Sequence, residues 1–171
     1  MICPNCGHDN LPGGEECASC GQDLTQLDRP VARDRVERSL MEDTVGALCK
    51  IRPIVVKPTA NLQTAIQTML GPGVGALLVV DDEGKLIGIL TERDLLTKVV
   101  GSHLDFSQLP VQQFMTPDPE AVAATDSLAF ALHKMAVGGY RHMPVVKDGQ
   151  PVGVVSVRDM LRHITKLCKE C

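Results

Sequence analysis

The sequence runs nearly the same course twice, and that repetition constrains the fold more than any other feature. The heptapeptide "GILTERD" at residues 88–94 returns as "GVVSVRD" at 153–159: Gly, two apolar residues, a hydroxyl residue, two more residues, then Asp. Upstream of each copy lies a matching segment, "PTANLQTAIQTML" and "ATDSLAFALHKMA". Leu62, Ile66, Met69 and Leu70 in the first correspond to Leu128, Leu132, Met135 and Ala136 in the second. The spacing i, i+4, i+7, i+8 predicts a helix with one buried face. "GALLVVDDEGKLIGIL" and "HMPVVKDGQPVGVV" follow, each with two apolar runs around an Asp- and Gly-containing turn. These predict paired strands joined as hairpins. The runs are apolar at nearly every position, so both faces of each sheet are expected to be covered. Each copy then closes with a helix, "ERDLLTKVV" or "VRDMLRHIT". A β-α-β-β-α unit of about 55 residues has a one-sided core, and pairing two such units buries it. The fold class is therefore α/β in the wider α+β sense.

At a strand-to-helix junction, T-x-x-D and S-x-x-D are capping boxes: Thr91 or Ser156 accepts an amide hydrogen bond while Asp94 or Asp159 reaches back. The same geometry leaves helix N-terminal amides and a hydroxyl suited to a phosphate, and an Asp suited to the hydroxyls of a ribose diol. Both readings follow from the spacing.

The first 28 residues form a separate domain. Cys3, Cys6, Cys17 and Cys20 lie in two C-x-x-C pairs, "CPNCG" and "CASCG", across a short polar loop. Two-residue spacing lets both thiolates of a pair face one metal, and Gly7 and Gly21 permit the tight turns that aim amides at sulfur. A structural, four-cysteine Zn2+ site is expected, with two disulfides as the alternative. So short a segment buries too little apolar surface to fold alone, so the metal should supply most of its folding energy. The pattern resembles the small zinc ribbons found at bacterial and archaeal N-termini. Many ribbons bind nucleic acid, but residues 1–28 contain no Lys or Arg and do contain Asp9, Glu15, Glu16, Asp23 and Asp28. A phosphate backbone would be repelled, which leaves a protein contact or dimerisation as the expected role.

Residues 29–43 connect the ribbon to the repeats. Ala32, Val36 and Leu40 are spaced four apart on one helical stripe and Pro30 suits a helix start, so a solvated connector helix is expected, with a disordered linker as the alternative.

From Thr44 onward the resemblance becomes specific. "TVGALC" and "PVQQFMTPDPEAV" open the two units, "YRHMPVV" enters the second middle strand, and the paired motifs close them. Together these resemble a tandem pair of cystathionine-beta-synthase (CBS) domains, the assembly called a Bateman module, with the first repeat at 44–104 and the second at 105–171. The first copy departs from the family in "CKIRPIVV", which replaces a Met-Thr opening, and in Leu78, which stands where the second copy has Pro144. The resemblance implies adenine-nucleotide binding in clefts of the pair. The Thr or Ser would contact phosphate or ribose oxygens and the Asp would hold the ribose hydroxyls. The base would slip between the opening strand and the start of the middle strand. Those positions are Val55, Val56, Gly75, Ala76 and Leu77 with Thr91, Arg93 and Asp94 in the first copy. In the second they are Ala121, Val122, Arg141, His142, Met143 and Pro144 with Ser156, Arg158 and Asp159. Arg93 and Arg158 can face phosphates or simply extend into solvent. Arg141 and His142 make the second cleft the more basic, which favours it for AMP, ADP or ATP. The resemblance further implies a homodimer through the helical faces.

Other features narrow the function. Cys49 aligns with Met115, which points to a buried apolar role, and Cys168 and Cys171 form a C-terminal C-x-x-C open to flexibility, a labile disulfide or metal capture. The histidines are scattered, and neither G-x-S-x-G nor a Walker loop occurs, so an enzyme is not expected. Aromatic residues make up 2% of the chain and the net charge is -4, which argues against nucleic acid as a partner. With no long apolar run and no signal-peptide pattern, a cytoplasmic protein without membrane association is expected. The reading that follows is a ligand-sensing regulatory module relaying its state to a protein partner. The alternatives are a scaffold with empty clefts, or a nucleic-acid-linked regulator acting through the ribbon.

Overall fold

The computed structural model describes residues 1–11, 13–25, 32–49, 52–99 and 105–169. Part of the expected connector (29–31), Pro30 included, and Asp28, His103 and Cys171 lie outside them. The chain divides into two compact units, Met1–Asp34 and Arg35–Cys171.

The small unit is two matching turns with little regular structure. In each, the residue after a C-x-x-C pair is a glycine with positive φ, 72° at Gly7 and 69° at Gly21, a conformation that costs glycine little. Its amide returns to the first cysteine's carbonyl, at 2.9 Å for both Gly7 to Cys3 and Gly21 to Cys17. Single antiparallel bridges, Ile2 with Asp9 and Glu16 with Asp23, close the turns. Its core is Cys3, Cys17 and Leu24, with Met1 packed against them.

The large unit opens with helix α1 (Arg35–Glu42) and a single turn, α2 (Val45–Leu48). The first repeat then runs β1 (Val55–Val56), α3 (Leu62–Leu70), β2 (Ala76–Val80), β3 (Leu86–Thr91) and α4 (Glu92–Lys98). A 3-10 turn at Val111–Gln113 and β4 (Thr116–Pro117) lead to the second repeat: β5 (Val122–Ala123), α5 (Leu128–Gly138), β6 (His142–Lys147), β7 (Gln150–Ser156) and α6 (Val157–Lys169). Both repeats have the expected β-α-β-β-α order. In each, the short first strand pairs parallel to the middle strand, and the last two form an antiparallel hairpin. All five residues of β2 are buried, the pattern of a strand covered on both faces. Ala76, Leu78 and Ile89 of the first sheet form a cluster of their own with Leu86 and Val154, which joins the two sheets.

The buried face of the repeat helices holds the expected Leu62, Met69, Leu128 and Met135, with Ile66 packed against the first core, but differs at i+3 and i+8. Leu62, Ala65 and Met69 are buried on α3, and Leu128, Ala131 and Met135 on α5. Leu70 is 74% exposed and Ala136 is also exposed. At about 100° per residue, i+3 and i+7 flank the i position closely, whereas i+8 lies roughly 80° away. The small Ala at i+3 is what lets the helix approach the sheet.

The two repeats exchange their opening segments. The Val45 and Gly46 amides donate to Asp126 and Ala124 of the second repeat, and Val45 is wholly buried in that repeat's core. Reciprocally, the Val111 and Gln112 amides donate to Ala60 and Pro58, and Val111 and Phe114 belong to the first core. β4 joins the first sheet, pairing with β3 at Gly88 and Ile89. The exchange explains the glycine that heads each repeated heptapeptide. A methyl group on Gly153 would lie 2.8 Å from the Cys49 sulfur, and one on Gly88 would overlap the Met115 sulfur. The two aligned sulfur residues thus lie against the glycine of the other repeat.

Helix α1 packs its apolar edge here as well: Leu40 lies against the second core. Ser39, buried on the same helix, contacts α6, with its hydroxyl hydrogen-bonded to the Asp43 carboxylate and 2.7 Å from His163 Nε2.

Candidate functional site

The paired motifs occupy equivalent places at the strand-to-helix junctions. In the first, Thr91 and Asp94 form a full capping box: the Asp94 amide donates to Thr91 Oγ1 at 3.3 Å, and Asp94 Oδ2 accepts from the Thr91 amide at 2.9 Å and its hydroxyl at 2.5 Å. In the second, Asp159 N to Ser156 Oγ is 3.2 Å, and Asp159 Oδ2 accepts the Ser156 amide at 3.0 Å and hydroxyl at 2.5 Å. The middle strand delivers its first residues beside each motif. Ala76 pairs with Thr91 and His142 with Ser156. The helix-opening amides of Glu92 and Val157 donate to the carbonyls of Gly75 and Arg141 at 3.1 and 3.0 Å. Thus Gly75, Ala76, Thr91, Arg93 and Asp94 come together in one repeat, and Arg141, His142, Ser156, Arg158 and Asp159 in the other.

The remaining cleft positions divide by burial. Val55 is 46% exposed and Val56 half-buried on β1, and Ala121 is half-buried just before β5. Leu77, Val122, Met143 and Pro144 are buried. They hold the strands in place, and only their backbone can line a cleft.

The motifs meet across the pair. The His142 ring lies against Gly75, where a methyl group would come within 2.7 Å of Nε2. A side chain at this position would have to push the His142 ring aside. Burial holds the imidazole below its ordinary 6.5, against the opposing pull of the Glu92 and Asp159 carboxylates, and the Arg158 and Arg141 cations add to the lowering. Charges of both repeats, Glu92 of the first and Asp159, Arg158 and Arg141 of the second, thus act on this one imidazole.

The two carboxylates differ in what surrounds them. Asp94 Oδ1 forms an ion pair with Lys98 Nζ at 2.8 Å and accepts from Thr116 Oγ1 at 3.2 Å, and its side chain is 11% exposed. Burial alone would raise this carboxyl, but the hydrogen bonds from Lys98 and Thr91 outweigh it and hold the group below its ordinary value. Asp159 is 36% exposed at the side chain, with Arg162 at 3.6 Å. Lys98 and Thr116 were missed in the sequence, although the i+4 spacing of Asp94 and Lys98 was a readable signal.

A second constellation was missed because its members lie far apart in the chain: Ser39, Asp43 and His163. Its geometry is a clamp between α1 and α6. The buried Ser39 hydroxyl sits between carboxylate and imidazole, whereas a nucleophilic relay places the imidazole between the other two. A depression of about 140 Å³ lies between α3 and α4, lined by Ile66, Met69, Leu70, Gly73, Val74, Glu92 and Leu95. It is smaller than the roughly 300 Å³ at which ligand pockets begin.

In the small unit, the ligating atoms of Cys3, Cys6, Cys17 and Cys20 all lie within 4.8 Å of one another. Side-chain amides point at them: Asn10 Nδ2 is 3.6 Å from Cys17 Sγ, and Asn5 Nδ2 is 3.5 Å from Cys20 Sγ. Burial alone raises the Cys17 thiol, but the Cys20 and Ser19 amides and Asn10 overcome it and bring it down to about 6. The Gln22 amide and Asn5 lower the Cys20 thiol as well, whereas at Cys6 the His8 amide pulls down but the neighbouring thiols and burial outweigh it and push the thiol up to about 11. Four sulfurs clustered this closely fit a soft tetrahedral cation, whose charge would favour the thiolate at each. Cys49 is different. Burial, then the nearby Asp159 charge, pushes its thiol up, which suits its packed position over Gly153. Cys168 is exposed on α6, and its partner in the C-x-x-C lies outside the described residues.

The family model for the CBS domain matches twice, at residues 45–101 and 111–166. The chain belongs to the CBS-domain family. Its CBS pair is similar to an uncharacterised 17.7 kDa protein of Acidianus ambivalens, 32% identical over 125 residues that cover 72% of this chain and 74% of that protein. A CBS domain-containing protein of Arabidopsis thaliana is 35% identical over 120 residues, 70% of this chain but 22% of its own length. Among solved structures, an uncharacterised conserved protein of Pyrococcus horikoshii superimposes with a TM-score of 0.66 at 27% identity, covering 72% of this chain and 92% of that one. A CBS domain protein of Pyrobaculum aerophilum complexed with AMP superimposes with a TM-score of 0.64 at 26% identity, covering 72% and 98%. The mixed α+β fold with two sheets is that of a CBS pair. Among the described residues, no helix is long and apolar enough to cross a membrane.

Proposed function

We propose that the protein is a regulatory adenine-nucleotide sensor that responds to AMP, ADP or ATP in its CBS pair and relays the change to a protein partner. The observation that carries this is the second motif. Asp159 is part-exposed at the start of α6, where His142 pairs with Ser156, and its charge and those of Arg141 and Arg158 all act on the His142 imidazole. The Val157 and Asp159 amides are taken by the Arg141 carbonyl and Ser156 Oγ, so the guanidinium groups would meet the phosphate of a nucleotide and Asp159 its diol. The AMP complex of the Pyrobaculum relative supports the same ligand class. The first motif offers Glu92 and Gly75 where the second has Val157 and Arg141, a less favourable setting for an anion.

Zn2+ is the proposed occupant of the four cysteines, where it would hold the small unit folded and leave no open position for chemistry. A homodimer is proposed through the helical faces, supported by the exposure of Leu70, Leu96, Phe130, Val137 and Leu161 on four helices of the pair. The acidic ribbon is proposed as the contact for the protein partner in the cytoplasm, and no bond-making reaction is assigned.

Thermal unfolding of the zinc-loaded chain with AMP, ADP, ATP, NAD and S-adenosylmethionine tests the reading. A ligand at a hundred times its Kd should stabilise the native state by about 2.7 kcal/mol. No shift with any ligand would refute the sensor and favour a scaffold.

A further inference from the structure

We infer that the two motifs have parted roles: Asp159 is the pair's one diol-binding carboxylate, and Lys98 and Thr116 close the first cleft by occupying Asp94. This deepens the nucleotide reading and rests on it. A carboxylate has about four lone-pair sites. At Asp94 four donors fill them: the Thr91 amide and hydroxyl on Oδ2, and Lys98 Nζ at 2.8 Å with Thr116 Oγ1 at 3.2 Å on Oδ1. A ribose diol would have to displace the last two. Lys98 is held further, because its ammonium also donates to the Phe114 carbonyl at 2.8 Å and contacts that of Met115 at 3.4 Å. Moving it would loosen the exchanged segment that completes the first core.

Among the described residues the equivalent lock is missing at Asp159. Ser156 occupies Oδ2 in the same way, but among the described residues Oδ1 faces only Arg162, at 3.6 Å, beyond hydrogen-bond length. The residue four positions on is His163 instead of Lys98, and it turns away to Ser39 at 2.7 Å and Asp43 at 3.5 Å. The counterpart of Thr116 in the aligned openings is Lys50, which lies outside the described residues. Burial agrees, with side-chain exposures of 11% at Asp94 and 36% at Asp159.

Isothermal titration of the zinc-loaded full chain with AMP reads the stoichiometry. The expected result is one site per chain, weakened roughly tenfold to hundredfold by Asp159→Asn and unchanged by Thr116→Val. Two sites per chain, or one that survives Asp159→Asn at full affinity, overturns the assignment, and the wild-type stoichiometry decides even if a variant folds poorly. Lys98→Ala with Thr116→Val frees one oxygen of Asp94 and should create a second, weaker site. A stoichiometry that stays at one in this variant refutes the lock. Absence of heat with AMP, ADP and ATP alike defeats the sensor reading itself, a separate outcome from two occupied clefts.

Discussion

Replacing Gly153 with alanine tests the exchange of opening segments on which the whole pair depends. The added methyl would lie 2.8 Å from Cys49 Sγ, 2.9 Å from its Cβ and 3.6 Å from Val145 Cβ. Favourable contacts between such atoms begin at about 3.5 Å, so two overlaps of roughly half an ångström or more must be relieved. Overpacking of this kind costs about 1–3 kcal/mol, and stiffening of the unfolded chain returns about 0.4–1 kcal/mol. A net loss of about 1–2 kcal/mol is expected, or roughly 2–8 °C in Tm for a chain of this size. With no Trp in the sequence, urea unfolding followed by far-UV circular dichroism is the suitable assay. Cys49→Gly removes both atoms that clash, so the pair of substitutions should show a coupling of about 1 kcal/mol in a double-mutant cycle. If Gly153→Ala is neutral or stabilising, or if the two substitutions are additive, the opening segment does not lie across the second repeat as described.

Three further outcomes are expected. Lys98→Met leaves an oxygen of Asp94 with fewer donors, and because the Lys98 side chain is 40% exposed the cost should be about 1 kcal/mol, read by the same denaturant titration. The folded-state pKa of His142 is lowered, so the native state binds fewer protons and stability rises with pH. Its contribution is complete above 6.5 and is lost as pH falls from there through the folded value; Tm between pH 8 and pH 5 should fall more steeply in the wild type than in His142→Gln. Chelation should unfold residues 1–25 without lowering the Tm of the CBS pair, because the two units are separately compact, and limited proteolysis with and without chelator would show it.

Much of this architecture was legible because it is local and repeated. The strand order, the hairpins and the capping boxes depend on residues within a few positions of each other, so Thr91 with Asp94 and Ser156 with Asp159 could be read directly. The four cysteines were legible for the same reason. The helical faces departed from the sequence reading at two positions each, i+3 and i+8, because an alanine at i+3 carries little hydrophobic signal although packing against the sheet selects it. What stayed hidden was long-range. Nothing near Asp94 announces Thr116, and nothing near His163 announces Ser39, since those contacts arise only when the opening segments cross to the opposite repeat. The alignment of Cys49 with Met115 held the clue, because two equivalent sulfur residues facing two equivalent glycines imply an exchange in both directions.

The most direct test of the central claim is the amide 1H–15N spectrum of the zinc-loaded chain as AMP is added. The account predicts that the Ser156, Val157, Arg158 and Asp159 amides and that of His142 shift with saturation, while Thr91 to Asp94 stay in place. Shifts centred on Thr91 to Asp94, or no shifts in either motif, would contradict it.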